Sequence, residues 1–315
     1  MRTVGPLLIG VGAVAGVLAS DRLARRRWAT NPDPLDGEEI TFPADDELVV
    51  PTDDGAALRI VRAGAGPPVV LIHGLTSNAD DWGPVARRLV DAGHRVIAME
   101  QRGHGGSTVG SDGFGAARLG LDVRQVIDAL DLHDVVLVGH SMGGISSMSF
   151  VIDHPGAAAR RLVALGLVAT VADTGRADRR AGLHAIALRP TTDLAARPYV
   201  GKGIARAVFG TRPNDRLLDA AVASGSRCPP ATRHGAALAL LDYDIRDRLA
   251  AISLPTTVVC GTRDLITPIG DNRAIADAIP GAELVSVPGA GHLVIWEAAD
   301  IVAEAVAAHT RVTLG

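Results

Sequence analysis

Three observations predict an α/β fold with a mostly parallel sheet covered by helices on both faces. The chain has 315 residues, of which 47% are hydrophobic, enough for one large domain with a sizeable core. Between residues 69 and 168, short and wholly apolar runs alternate with stretches of helical spacing, as buried parallel strands joined by crossover helices do. Glycine and proline are spread along the chain, so the breaks fall between elements and not in one low-complexity block.

Taken in order, Glu47 to Val50 and Ala57 to Val61 flank Asp53-Asp54-Gly55, a β-hairpin signal. Val69 to Ile72 is a continuous apolar run that ends at His73-Gly74. Trp82 to Ala92 has helical spacing, and Arg95 to Met99 reads as the next strand. Gly120 to Leu130 is helical, Val135 to Val138 a buried strand, Met142 to Asp153 a helix and Leu162 to Val168 a strand. From Ala169 to Ser253 only helix-like segments are visible. Strand signals return at Thr256 to Cys260 and Glu283 to Val287. The expected organisation is a core over residues 47–168 and 254–315, interrupted by a helical cap over 169–253. Residues 30–46, rich in proline and acidic side chains, read as a linker with no buried face.

The N-terminal segment, residues 1–29, is different. Val4 to Ala19 holds no charged residue and is followed by Arg22, Arg25, Arg26 and Arg27. This predicts a membrane association through residues 4–19, as a single-pass anchor with the following domain on the cytoplasmic side. The alternative is a secretory signal cleaved near Val17-Leu18-Ala19, with the domain exported.

Net charge is −4, which argues against a nucleic-acid partner. Five arginines against one aspartate leave residues 1–30 at +4, and the remaining 26 basic and 34 acidic residues carry −8. Two cysteines, Cys228 and Cys260, neither build a disulfide framework nor match a metal motif.

The chemistry concentrates at strand ends. Gly139-His140-Ser141-Met142-Gly143 is a G-x-S-x-G sequence between a buried strand and a helix. A sharp turn there strains the serine backbone and pushes the hydroxyl out, where a nucleophile is needed. A neutral serine requires a base. His292, in the glycine-rich loop after the last strand, is the candidate. The base requires an acid that fixes its tautomer. Asp264 follows the strand Thr256 to Cys260 and is preferred over Asp173, which follows Leu162 to Val168. An oxyanion needs preorganised N–H donors, assigned to the backbone amides of Met142 and of Leu75, the latter in the loop after Val69 to Ile72. His73 is read as structural.

With these residues the chain resembles the α/β-hydrolase family, in its capped esterase, lipase and peroxidase-like branch. The resemblance runs from about Glu47 onward. It rests on His73-Gly74, Arg102-Gly103-His104-Gly105, Gly139 to Gly144, Gly261 to Asp264 and Gly291-His292. It implies an eight-stranded, mostly parallel sheet with an inserted helical cap, no cofactor, and a small-molecule acyl or ester substrate. One departure is Glu100, where the family usually carries Asp before the Arg-Gly-His-Gly loop. A serine at the elbow argues against the epoxide and halide chemistry of relatives with an aspartate nucleophile. Ester hydrolysis is the expected reaction. Carbon–carbon hydrolysis, cofactor-free perhydrolysis and non-catalytic ligand binding are the alternatives.

Overall fold

The computed structural model describes residues 31–175, 183, 198–211 and 213–311. One eight-stranded sheet organises them. Its strands are β1 (Asp46–Pro51), β2 (Ala57–Ala63), β3 (Pro68–Ile72), β4 (Arg95–Met99), β5 (Val135–His140), β6 (Leu162–Val168), β7 (Thr256–Gly261) and β8 (Glu283–Val287). They lie in the order β1-β2-β4-β3-β5-β6-β7-β8. The pairs β1–β2 and β2–β4 are antiparallel and the remaining five are parallel.

The apolar runs were continuous because both faces are covered. Side chains alternate across a strand: Val70 and Ile72 of β3 face one core, Val69 and Leu71 the other, and Ile97 and Met99 oppose Val96 and Ala98 in β4 in the same way. Helices α2 (Ala116–Ala129), α3 (Met142–Asp153) and α8 (Ile269–Ala278) supply Val123, Met148 and Ile275 to the first core. Helices α1 (Gly83–Asp91) and α10 (Ala299–Arg311) supply Leu89 and Val302 to the second. A short helix α4 (Pro155–Arg161) leads into β6, and α9 (Val294–Glu297) follows the loop after β8. Neither had been separated as an element in the sequence.

Between β6 and β7 the described residues hold α5 (Pro198–Ala207), α6 (Asp215–Arg227) and α7 (Pro230–Ala239). Two stretches there, Leu183 to Leu188 and Ala236 to Leu241, are apolar in sequence; in the second, Ala236 and Ala237 of α7 are fully buried, Ala236 in the first core. The stretch Leu183 to Leu188 lies, apart from Leu183, outside the described residues.

Two expectations need correction. Residues 30–46 are not a linker without a buried face, since Leu35 and Phe42 are buried in the second core. Asp33 pairs with Arg216 of α6 at 2.6 Å, and Glu38 pairs with Arg88 of α1 at 2.8 Å. This strap joins α6 to the core through partners about 50 to 180 positions away, too distant to leave a local pattern. The membrane anchor and membrane association expected through residues 4–19 are also not supported. No helix among the described residues is long and apolar enough to cross a membrane, and the uncharged run is shorter than the roughly 20 residues that a bilayer core needs. Residues 4–19 themselves, including the signal-like sequence, lie outside the described residues.

Candidate active site

The site is assembled at the C-terminal ends of β5, β7 and β8. Ser141 stands between β5 and α3 with φ +53° and ψ −118°, a left-handed backbone that a side chain adopts only under constraint. The constraint is visible. Its N–H donates to the Val168 carbonyl at 2.9 Å, and its carbonyl accepts from the Gly144 N–H at 2.9 Å and from the Thr170 hydroxyl at 2.7 Å. Two glycines make the turn feasible. A Cβ at Gly139 would sit 2.2 Å from the Gly143 carbonyl oxygen, and one at Gly143 would sit 2.1 Å from that of Ile72.

His292 Nε2 is 3.1 Å from Ser141 Oγ, and its Nδ1 is 2.9 Å from Asp264 Oδ2. A carboxylate only accepts, so Nδ1 carries the proton and Nε2 presents its lone pair to the serine. Asp264 also accepts from the Ile266 N–H at 2.7 Å, the Thr267 N–H at 2.9 Å and the Thr267 hydroxyl at 2.6 Å. Burial pushes the Asp264 carboxyl up, but His292 and the Thr267 donors more than offset it and hold it below the usual range. Such an arrangement can take a proton from the serine hydroxyl and stabilise the resulting imidazolium. Asp173, the competing acid, lies 3.7 Å from Arg246 and accepts from the Gly175 N–H at 2.6 Å; it is Asp264 that meets the imidazole.

The loop after β3 lies against the serine: a Cβ on Gly74 would come within 3.1 Å of Ser141 Cβ. Leu75 follows in this loop. Met142 is the first residue of α3, where a helix N–H has no intrahelical partner. Three buried imidazoles frame the loop. His73 accepts the Gln101 N–H at Nε2, 3.0 Å away, and donates from Nδ1 to the Gly74 carbonyl at 2.7 Å. Both nitrogens are committed, as its structural reading expects. His104 Nε2 accepts the Thr76 N–H at 3.3 Å. His140 Nε2 donates to the His292 carbonyl at 2.9 Å. Burial lowers all three, His104 to about 4 and His140 to about 3, so they are neutral around pH 7.

A further carboxyl anchors the same loop from below. Asp81, almost fully buried, accepts from the hydroxyls of Ser77 and Ser224, the latter in α6 at 2.8 Å. Burial pushes it up to about 6. A carboxyl raised in the fold stabilises fully below its unfolded value of 3.8, and this contribution is lost as pH rises through 6. The loss amounts to about 3 kcal/mol. Asp81→Asn is therefore expected to gain stability relative to the wild type between pH 4 and pH 7. Denaturant unfolding of both proteins at these two pH values checks this, and a difference that does not change with pH would refute it.

All five residues singled out in the sequence thus lie at this end of the sheet. Thr267, Thr170, Asn272 and Glu297 were not foreseen. The Glu297 carboxylate takes the N–H groups of Gly291, at 2.7 Å, and Thr211, at 2.8 Å, tying the His292 loop to the segment after α5. None belongs to a motif, so no sequence signal pointed to them.

The comparisons with known proteins agree with this architecture. The family model described as the alpha/beta hydrolase fold matches residues 67–299. A non-heme chloroperoxidase, CPO-A1 of Kitasatospora aureofaciens, is 31% identical over 257 residues, covering 76% of this chain and 90% of the relative. A thermophilic esterase from Thermogutta terrifontis superposes with a TM-score of 0.73 at 26% identity, over 84% of this chain and 98% of that one. Est816, an N-acyl homoserine lactone degrading enzyme, does so with a TM-score of 0.67 at 27% identity, over 83% and 99%. With the match spanning the sheet from β3 to β8, this chain belongs to the α/β-hydrolase family.

Proposed function

We propose that the protein is a serine hydrolase that cleaves a carboxylic ester, or a related acyl bond, through an acyl-enzyme intermediate. The observation that carries this reading is the continuous relay from Ser141 Oγ to His292 at 3.1 Å and on to Asp264 at 2.9 Å. Ser141 is the nucleophile, His292 the general base and Asp264 the acid that orients it. Ser141 Oγ bonds to the substrate carbonyl carbon while its proton passes to His292 Nε2. The backbone amides of Leu75 and Met142 receive the oxyanion. Collapse expels the alcohol, which takes the proton from His292. Water, deprotonated by the same nitrogen, then releases the carboxylic acid and restores Ser141. The cap expected over 169–253, of which α5, α6 and α7 are among the described residues, is assigned the role of limiting which acyl chains enter. The esterase and the lactone-degrading enzyme at 26% and 27% identity support an ester-type bond.

The chloroperoxidase relative favours one second reading. Hydrogen peroxide in place of water in the deacylation step would release a peracid from the same acyl-enzyme and again leave Ser141 free. Incubation with a fluorophosphonate, followed by turnover of p-nitrophenyl esters from acetate to palmitate, tests the main reading. One phosphonyl group on Ser141 and saturable ester turnover are expected, and the chain-length optimum measures the acyl pocket. An unlabelled serine with no turnover of any ester would refute it. Peracid formed from acetate and peroxide faster than any ester is hydrolysed would favour the second.

A further inference from the structure

The three groups of the relay stand on separate loops, and the sheet sets only where those loops begin. Asp264 lies beyond the end of β7 in a loop running to Pro268, and backbone pairing between β6 and β7 stops before reaching it. The position of Asp264 relative to Ser141 therefore needs another tie.

Asn272, on α8, supplies it. The side chain is fully buried. Its Oδ1 accepts the Thr170 N–H at 3.2 Å, and its Nδ2 donates to the Thr267 carbonyl at 2.8 Å and the Pro268 carbonyl at 3.3 Å. Both neighbours lead to the relay. The Thr170 hydroxyl donates to the Ser141 carbonyl at 2.7 Å, and the Thr267 hydroxyl donates to Asp264 Oδ2 at 2.6 Å. The hydrogen bonds close into a ring through Ser141, Thr170, Asn272, Thr267, Asp264 and His292. A buried amide is costly unless both of its ends are satisfied. Here one end must accept and the other donate, which a carboxylate or an aliphatic side chain cannot do.

We propose that Asn272 is a positioning residue that locks the loop bearing Asp264 to the nucleophile turn and so aims the Asp264 carboxylate at His292. This inference rests on the serine-hydrolase reading above. Without the amide, Thr170 N–H and the Thr267 carbonyl lose their shared partner, and the loop that carries Asp264, with its own Ile266 and Thr267 donors, is free to shift relative to the Ser141 turn. The imidazolium formed during acyl transfer is then less well stabilised. The other ionisable groups around His292, namely neutral His140 with ring centroids 4.9 Å apart and Glu297 on the Gly291 N–H, are untouched by the substitution.

Asn272→Ala and Thr267→Val in the full chain test this. Per fluorophosphonate-titrated serine, kcat on a p-nitrophenyl ester is expected to fall roughly 10- to 100-fold with KM changed by less than about threefold. The acid limb of the kcat/KM profile should move about one pH unit lower. The downfield proton NMR resonance of His292 Nδ1–H should move upfield in both variants. Should Asn272→Ala not fold, Asn272→Ser is read by the same resonance. A resonance and an acid limb that coincide with those of the wild type, whatever the loss of stability, would overturn the role of Asn272. The resonance needs no turnover. A wild-type chain inactive on every ester would therefore sink the hydrolase reading, and the resonance would still decide on Asn272.

Discussion

Ser141→Ala is expected to lower kcat for p-nitrophenyl ester hydrolysis by roughly 10⁴- to 10⁶-fold while leaving the fold intact. On the proposed serine-hydrolase reading the effect is large because Ser141 is the group that forms the acyl bond. On that reading water delivered by His292 would be left as the nucleophile, and the proposed Leu75 and Met142 amide donors would supply what residual rate survives. The fold is spared because the left-handed turn is held by the Ser141 main chain, through Val168, Gly144 and Thr170, and alanine keeps those bonds. Substrate binding changes little, since the hydroxyl contributes mainly to the transition state. Active-site titration together with steady-state kinetics measures this, with circular dichroism to establish that the variant is folded. A variant that retains even a tenth of wild-type turnover would remove Ser141 from the mechanism.

The second large effect is on stability. Arg102 is completely buried, and so is Asp122. Its guanidinium donates to Asp122 at 2.6 and 2.8 Å, to Asp54 at 2.8 and 3.1 Å, and to the Gly113 carbonyl at 2.8 Å. Removing one partner of a buried ion pair costs up to about 3–5 kcal/mol: Arg118 still donates to Asp122 at 2.8 Å, but Asp54 loses both of its Arg102 bonds and keeps Arg118 only at 3.9 Å. Arg102→Met is expected to lose that amount in denaturant unfolding at pH 7. Arg102→Lys should recover part of it, because it restores charge without the planar fork. The pH dependence identifies the cause. The Arg102 guanidinium holds the Asp54 carboxyl far below its usual range. A depressed carboxyl contributes stability above its unfolded value of 3.8 and loses it as pH falls. The gap between wild type and Arg102→Met should therefore narrow towards acid pH. A gap constant with pH would mean that lost packing, not lost charge, is responsible. The pair also has a functional side. Arg102 opens the loop whose His104 receives the Thr76 N–H, so the network braces the wall of the site that carries Leu75.

Much of this was legible in the residues because the signals are local. A strand buried on both faces must be apolar at every position, and Val69 to Ile72, Val135 to Val138 and Leu162 to Val168 were found where β3, β5 and β6 lie. The turn around Ser141 was legible because only glycine fits two positions at which an added Cβ would lie within 2.2 Å of a backbone oxygen. Helix α4 was missed because it is short and opens on Pro155 with no side-chain cap. Glu100, which departs from the family pattern, fits its loop: its carboxylate accepts the Gly106 N–H at 2.7 Å and lies 3.3 Å from Arg59.

What the sequence by itself determined, then, is the order of the strands along the chain, the helices α1, α2 and α3 between them and the identity of the strained serine. Each follows from periodicity or from steric demands within a few residues. Only the tertiary structure decided which acid meets the imidazole. Asp173 and Asp264 both follow a strand, and the choice depends on how β6, β7 and β8 lie side by side. The same holds for Thr170, Thr267 and Asn272, and for Leu35 and Phe42 in the strap. Their partners lie far away along the chain, and an isolated polar or apolar residue carries no mark of what it will touch until the sheet has brought the ends together.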